Sequence, residues 1–311
     1  MPLTKPWSGY WELTLSMLFF AITLVLGKTL LALFPIFLLL AIRFLMGTSF
    51  FSLTYYLHAA KNGKAIEKLS HKDIGLIFLQ AFFGAFCFNL FMLLGLRETS
   101  ANTAAIITST IPAFITAFSF FILKESLSML KLSAITLSVL GVMLVTVTQI
   151  IQFDGLSLLG DLFILLAVVS GALFPICAKL VLTRMPVSFT SLTFNAFGLL
   201  LFLPWAINEA VAFNFYSITF SAWITVIFYS VAANILYLHF WNKGLTVVSA
   251  STASLFTAIM PMSTAIFAYL FLKEIMTTSQ MVGMICILGA IFLGTKAEKI
   301  QSVFLLKARY E

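Results

Sequence analysis

Long apolar runs separated by short polar breaks dominate this chain, and their spacing predicts its fold. Stretches of about 20 apolar residues, enough to cross a ~30 Å hydrocarbon core, lie at approximately 10–31, 36–57, 74–95, 101–122, 129–151, 157–180, 187–207, 219–240, 250–272 and 279–296. The pattern predicts an all-α integral membrane protein with ten transmembrane helices. Most connections are only a few residues long, so successive helices are antiparallel neighbours. Pro112, Pro175 and Pro261 fall inside predicted spans, where the missing amide hydrogen bends a helix. They are the expected hinges, and kinks for packing are the alternative reading.

The pattern also recurs. Phe91 to Glu125 aligns without gaps onto Phe240 to Glu274 at an offset of 149, with 13 identities in 35 positions. Shared features include Gly95 and Gly244, the Ser-Ala-x-Thr-Ala runs from Ser100 and Ser249, Pro112 and Pro261, and the closing Leu-Lys-Glu. The first five-helix copy is expected over 10–151 and the second over 157–296, followed by a short basic cytoplasmic tail at 297–311. Five spans per copy is an odd number, so the two copies enter the bilayer from opposite faces and the repeat is inverted. Such duplicated bundles are typical of secondary transporters.

Composition agrees with lipid as the main solvent. The 311 residues are 61% apolar and 9% charged, with mean hydropathy +1.09, more apolar surface than a water-soluble fold can hide. The 34 phenylalanines suit lipid-facing and helix-packing surfaces and do not imply an aromatic ligand. The net charge of +7 is explained by topology and needs no nucleic-acid partner. With the N-terminus in the cytoplasm, 14 of the 18 lysines and arginines fall on the inside, so both termini are expected there. The first apolar run is of spanning length and reads as a helix, not a cleaved signal.

Candidate chemistry is sparse. Cys87, Cys177 and Cys286 stand alone in apolar runs, and His58, His71 and His239 form no close pair or HExxH motif. The reading is therefore no metal, no cofactor and no enzyme. Asn89 and Asn234 lie near the middle of their spans, where a buried amide needs partners or reads a polar substrate. Asn234, Ser230, Tyr237 and Trp241 share a helical face at i−4, i+3 and i+7. Asn102, Thr103, Thr108 and Ser109 correspond to Ser251, Thr252, Thr257 and Ala258, and both helix packing and cavity lining account for such small polar residues. Arg43 sits deeper than the other span charges; anchoring, a structural bond or recognition of a substrate carboxylate would each use its guanidinium. Glu12 is the sole acid of the first span and the first choice for coupling, while uniport or exchange is an equal energetic alternative.

These motifs identify a resemblance to the drug/metabolite transporter superfamily, in particular its ten-helix members with two EamA domains. The resemblance is carried by Lys243-Gly244-Leu245, the small run Ser249 to Ser254, Pro261, Lys273-Glu274 and Gly283/Gly289, echoed by Gly95, Ser100 to Ala105, Pro112, Lys124-Glu125 and Gly141. Ala41-Ile42-Arg43-Phe44 resembles the arginine signature of the second helix. It implies a carrier of small metabolites, amino-acid-like or related polar or amphipathic compounds, in the bacterial inner membrane, often working in export. Two departures bear on substrate: Phe20 stands where a Trp is common, and Ser170-Gly171 where an aromatic is common, whereas Phe174 and Lys179 follow the pattern. The resulting expectation is one central cavity bordered by Phe20, Thr23, Asn89, Thr108, Ser170, Phe174, Asn234, Tyr237 and Thr257. A channel and a non-transporting scaffold or sensor are the alternatives.

Overall fold

The computed structural model describes residues 6–62, 70–99, 101–146, 157–272 and 276–310. Among them the chain is helical, without strands, and ten segments are long and apolar enough to span a bilayer. We number these α1 (Pro6–Leu30), α2 (Ile36–Asn62), α3 (His71–Glu98), α4 (Ala101–Thr108 and Ile111–Leu123) and α5 (Met129–Thr146). The second copy supplies α6 (Leu158–Leu182), α7 (Val187–Ala212), α8 (Phe220–Val247), α9 (Ala250–Phe256 and Ile259–Leu272) and α10 (Thr278–Tyr310). The expected tail is thus a helical continuation of α10. The fold is that of two inverted five-helix repeats.

Local chemistry explains several boundaries. Ser70 accepts from the Lys72 amide and Asp73 accepts from the Ser70 amide, forming a capping box that starts α3. Thr219 caps α8 through the Ala222 amide at 3.4 Å. The first part of α4 and of α9 each stops two residues before its second part begins, immediately ahead of Pro112 or Pro261. Both prolines therefore fall in the first turn of a new helical stretch, where a missing N–H costs little, and Thr110 and Thr257 at the interruptions keep right-handed helical angles. Pro175 lies inside α6, which runs through it.

Two helices change their winding. In α3, Phe82–Cys87 forms a π-helical segment, and in α8 Val231–Leu236 does the same. Their bounds differ by 149 residues at each end, the offset of the repeat.

The chain forms two compact units, each taking segments from both copies. Unit 1 comprises residues 1–87 and 177–246; unit 2 comprises 88–176 and 247–311. In unit 1, α2 packs against α7, with Gly47 leaving room for Asn195: a Cβ there would lie 2.2 Å from Asn195 Oδ1. Leu30, Phe34, Leu39, Val226 and Tyr229 form a buried cluster nearby. In unit 2, α5 packs lengthwise against α10, and where Gly141 and Gly283 meet a Cβ on either would come within 3.0 Å of the other's carbonyl oxygen. Small residues at such crossings let backbones approach closely, which supplies packing where lipid offers no hydrophobic gain. Large apolar side chains such as Phe121, Leu200 and Phe292 are left exposed, as a lipid-facing surface requires.

Candidate functional site

Unit 1 holds a polar ladder inside an apolar bundle. Asn234, in the π segment of α8, donates through Nδ2 to Asn195 Oδ1 on α7 at 2.6 Å. Asn195 Nδ2 in turn donates to the Ser191 carbonyl at 2.8 Å and to the Asn234 carbonyl at 3.4 Å. One turn further along α7, Ser191 Oγ accepts from Asn242 Nδ2 at 3.1 Å. All four residues are buried. The wider winding of a π segment takes its carbonyls out of the regular i→i−4 ladder, and the Asn234 carbonyl meets the Asn195 amide instead. Asn234 thus has a structural partner, while Asn242 Oδ1 has none among the described residues.

Beside the ladder runs an aromatic row. The Phe20 and Tyr237 rings lie 4.6 Å apart and Tyr237 stacks on Trp241 at 6.3 Å. Thr23, buried one turn after Phe20, donates to the Phe20 carbonyl at 2.6 Å. The structure therefore brings Phe20, Tyr237 and Trp241 together as one row. Ser230 donates to its own helix at the Val226 carbonyl.

Arg43 of α2 donates through Nη1 to Tyr229 Oη at 3.1 Å, with its guanidinium carbon 5.1 Å from the Phe44 ring centroid and 5.9 Å from that of Tyr229. Glu12 is held by Lys243 at 2.7 Å, so the one acid of the first span has a cationic partner. Lys179, at the end of α6, donates to the Leu245 carbonyl near the end of α8.

Unit 2 contains the other candidates. Thr108 donates to the Ala104 and Ala105 carbonyls at 2.8 and 3.1 Å, and Thr257 donates to the Ser254 carbonyl at 2.6 Å. Each lies four residues before a proline and ties down the helical turn that precedes the break. Ser170 donates to the Leu166 carbonyl at 2.7 Å, Phe174 is buried in α6, and Asn89 is half-buried just beyond the π segment of α3. The side chain of Asn102 lies outside the described residues, as do Ser100, Lys273 and Glu274.

A second polar cluster, at the start of α9, was not anticipated from the sequence. Lys124 adopts a left-handed conformation at φ 55° and turns the chain out of α4. Glu125 then accepts from the Ala250 and Ser251 amides at 2.7 and 3.0 Å and from the Ser251 hydroxyl. Glu298 of α10 accepts from the Ser249 amide at 2.9 Å and from its hydroxyl at 2.7 Å. The same hydroxyl accepts from Lys131 Nζ at 3.0 Å, 3.8 Å from Glu298. Two carboxylates at a helix N-terminus satisfy its orphan amides and complement its dipole. Among the described residues no group of three His, Cys, Asp or Glu could hold a metal ion.

Comparisons with known proteins agree with this architecture. The family model of the EamA-like transporter family matches residues 7–147 and 158–295. The uncharacterized transporter YetK of Bacillus subtilis is 31% identical over 93% of this chain and 87% of its own length. Another uncharacterized B. subtilis transporter, YdfC, is 26% identical over 75% of this chain and 76% of its own. One crystal structure superposes with a TM-score of 0.77 over 94% of this chain and 98% of its own, at 15% identity, a likeness of fold.

Proposed function

Because this chain belongs to the EamA-like transporter family, we propose that it is a secondary carrier, and not an enzyme. Its cargo on this reading is a small amino-acid-like or related polar or amphipathic metabolite, moved by alternating access. A membrane transporter in general follows from the family. The observation that carries it is the matched irregularity of the two copies. The π segments of α3 and α8 lie 149 residues apart, and α4 and α9 both break just before Pro112 and Pro261. Inverted repeats exchange their conformations during such a cycle, so the points where helices bend should occur in pairs. Pro112 and Pro261 are the paired bends in this reading, with Pro175 a third.

Phe20, Thr23, Asn234 and Tyr237 in unit 1 are the proposed substrate-facing group: two rings for apolar parts and polar groups for the rest. Thr108 and Thr257 serve the bends. For Asn89, Ser170 and Phe174 a substrate role is tested by single cysteines in a cysteine-free background, read by a membrane-impermeant thiol reagent with and without substrate. Glu12 is the proposed coupling group, tested by whether Glu12→Gln abolishes the response of transport to a pH gradient.

The proposed location is the bacterial inner membrane, with both termini in the cytoplasm, supported by the bias of 14 of 18 basic residues to one side. Counterflow in proteoliposomes tests the function. A carrier exchanges a labelled metabolite faster when unlabelled metabolite is loaded on the other side; flux without that acceleration would indicate a channel. Absence of exchange for every metabolite altered in overexpressing cells would support a scaffold or sensor.

A further inference from the structure

We infer that Arg43 is a receptor for a carboxylate on the transported molecule, so that the cargo carries an oxyanion. The inference rests on the carrier reading and narrows it.

The argument begins with charge. Arg43 is the eighth residue of α2 and lies about 10 Å along the axis from its start at 1.5 Å per residue, inside the span Ile36–Leu57. A guanidinium at that depth stays charged and is costly unless paired. Every described carboxylate of unit 1 is committed elsewhere: Glu12 to Lys243, Asp73 to Arg184 at 3.1 Å, and Glu209 to the Leu38 amide at 2.8 Å. Among the described residues Arg43 thus has no counter-ion.

The geometry shows which part of the group is free. Tyr229 Oη takes Nη1, and the Phe44 and Tyr229 rings contribute cation–π contacts. Nε is buried and has no hydrogen-bond partner among the described residues. The edge formed by Nε and Nη2 is the side-on fork with which arginine grips a carboxylate through two parallel bonds. Tyr229 occupies the third nitrogen and leaves that fork's Nε hydrogen uncommitted. A buried donor left unpaired is destabilising, more so when charged, so an anionic ligand gains by filling it.

The surroundings match the proposed substrate-facing group. Tyr237 contacts Phe20, and two turns along α1 a Cβ on Gly27 would lie 3.5 Å from the Tyr229 ring. One face of α1 therefore follows the aromatic residues that flank Arg43.

The test uses the full chain in nanodiscs of zwitterionic lipid, with thermal unfolding as readout. Probes are matched pairs at millimolar concentration, such as leucine and leucinamide or phenylacetate and phenylacetamide. The native chain should be stabilised by a carboxylate over its amide. Arg43→Gln should lose the preference, and Arg43→Lys should keep it with about tenfold weaker affinity, since a point charge replaces the fork. Absence of any carboxylate preference in the native chain overturns the inference, as does a preference that survives Arg43→Gln. If Arg43→Gln does not fold, unchanged carboxylate affinity in Arg43→Lys overturns it. Stabilisation that needs anionic lipid and no carboxylate would make the ligand a headgroup, and also overturns it. Counterflow separates the two claims: exchange of neutral or cationic metabolites alone refutes the carboxylate receptor and keeps the carrier. An Arg43-dependent carboxylate shift without any exchange does the reverse.

Discussion

Asn234 donates to Asn195 Oδ1 at 2.6 Å, and Asn195 returns a bond to the Asn234 backbone carbonyl, so one amide both pairs with the π segment of α8 and caps its irregular backbone. With Ser191 as its third partner, Asn195 has little freedom to leave. Replacing it by alanine strands the Asn234 amide, and interhelical hydrogen bonds within membranes are worth roughly 0.6–2 kcal/mol each. Asn195→Ala is expected to cost about 1–2 kcal/mol in reversible unfolding from mixed micelles. The double change Asn195→Leu with Asn234→Leu should cost less than the sum of the single changes, and strict additivity would show that the pair is not coupled.

Lys131 and Glu298 predict an asymmetry. The lysine is 1% exposed and the glutamate 18%. Glu298 also holds the Ser249 amide and hydroxyl, so in Lys131→Met it keeps two partners. In Glu298→Ala the buried ammonium loses its only described counter-ion, a change of about 3 kcal/mol for a broken buried pair. Glu298→Ala should therefore lower the unfolding temperature more than Lys131→Met. Equal losses would show that the buried ammonium does not depend on Glu298 as its counter-ion.

How much of this was legible in the sequence varies with the physics. Span length and charge bias are summed over many residues, which is why all ten helices and their repeat could be read. The π segments could not: Phe82–Cys87 and Val231–Leu236 share no residue at corresponding positions, so the echo lies in backbone winding and not in side chains. Asn195 and Asn242 carried the same signal as Asn89 and Asn234, an amide in a long apolar helix, and only the packing of α7 against α8 decides which of them pair. Lys131 resembled a topological anchor because its burial depends on Ser249 and Glu298, more than a hundred residues away. Pro112 and Pro261 were legible as irregular points of their helices, each of which is interrupted for two residues just ahead of its proline.

Lys124 stands where glycine would be at ease. Its φ of 55° and ψ of 36° place it in the left-handed region, which costs a residue with a Cβ about 1 kcal/mol. Lys124→Gly is expected to stabilise the chain by about that amount, provided Glu125 still reaches α9. Comparing it in Glu125 and Glu125→Ala backgrounds checks the mechanism. If the gain comes from relieved backbone strain, it should appear in both.

Gly283 and Gly289 belong to the same small-residue pattern of α10, yet their surroundings predict opposite responses to alanine. A Cβ on Gly283 would meet the Gly141 carbonyl oxygen at 2.7 Å and Leu144 Cβ at 2.9 Å. Those atoms belong to the neighbouring α5 and can yield only if the two helices move apart. Overpacking of that kind costs about 1–3 kcal/mol. A Cβ on Gly289 would meet Leu137 Cδ2 at 3.4 Å, an ordinary contact with the end of a flexible side chain. Alanine there also gains up to about 1 kcal/mol in helix propensity. Gly283→Ala should lower the unfolding temperature while Gly289→Ala leaves it unchanged or raises it. A loss at both positions would mean that Leu137 cannot yield to the added methyl group.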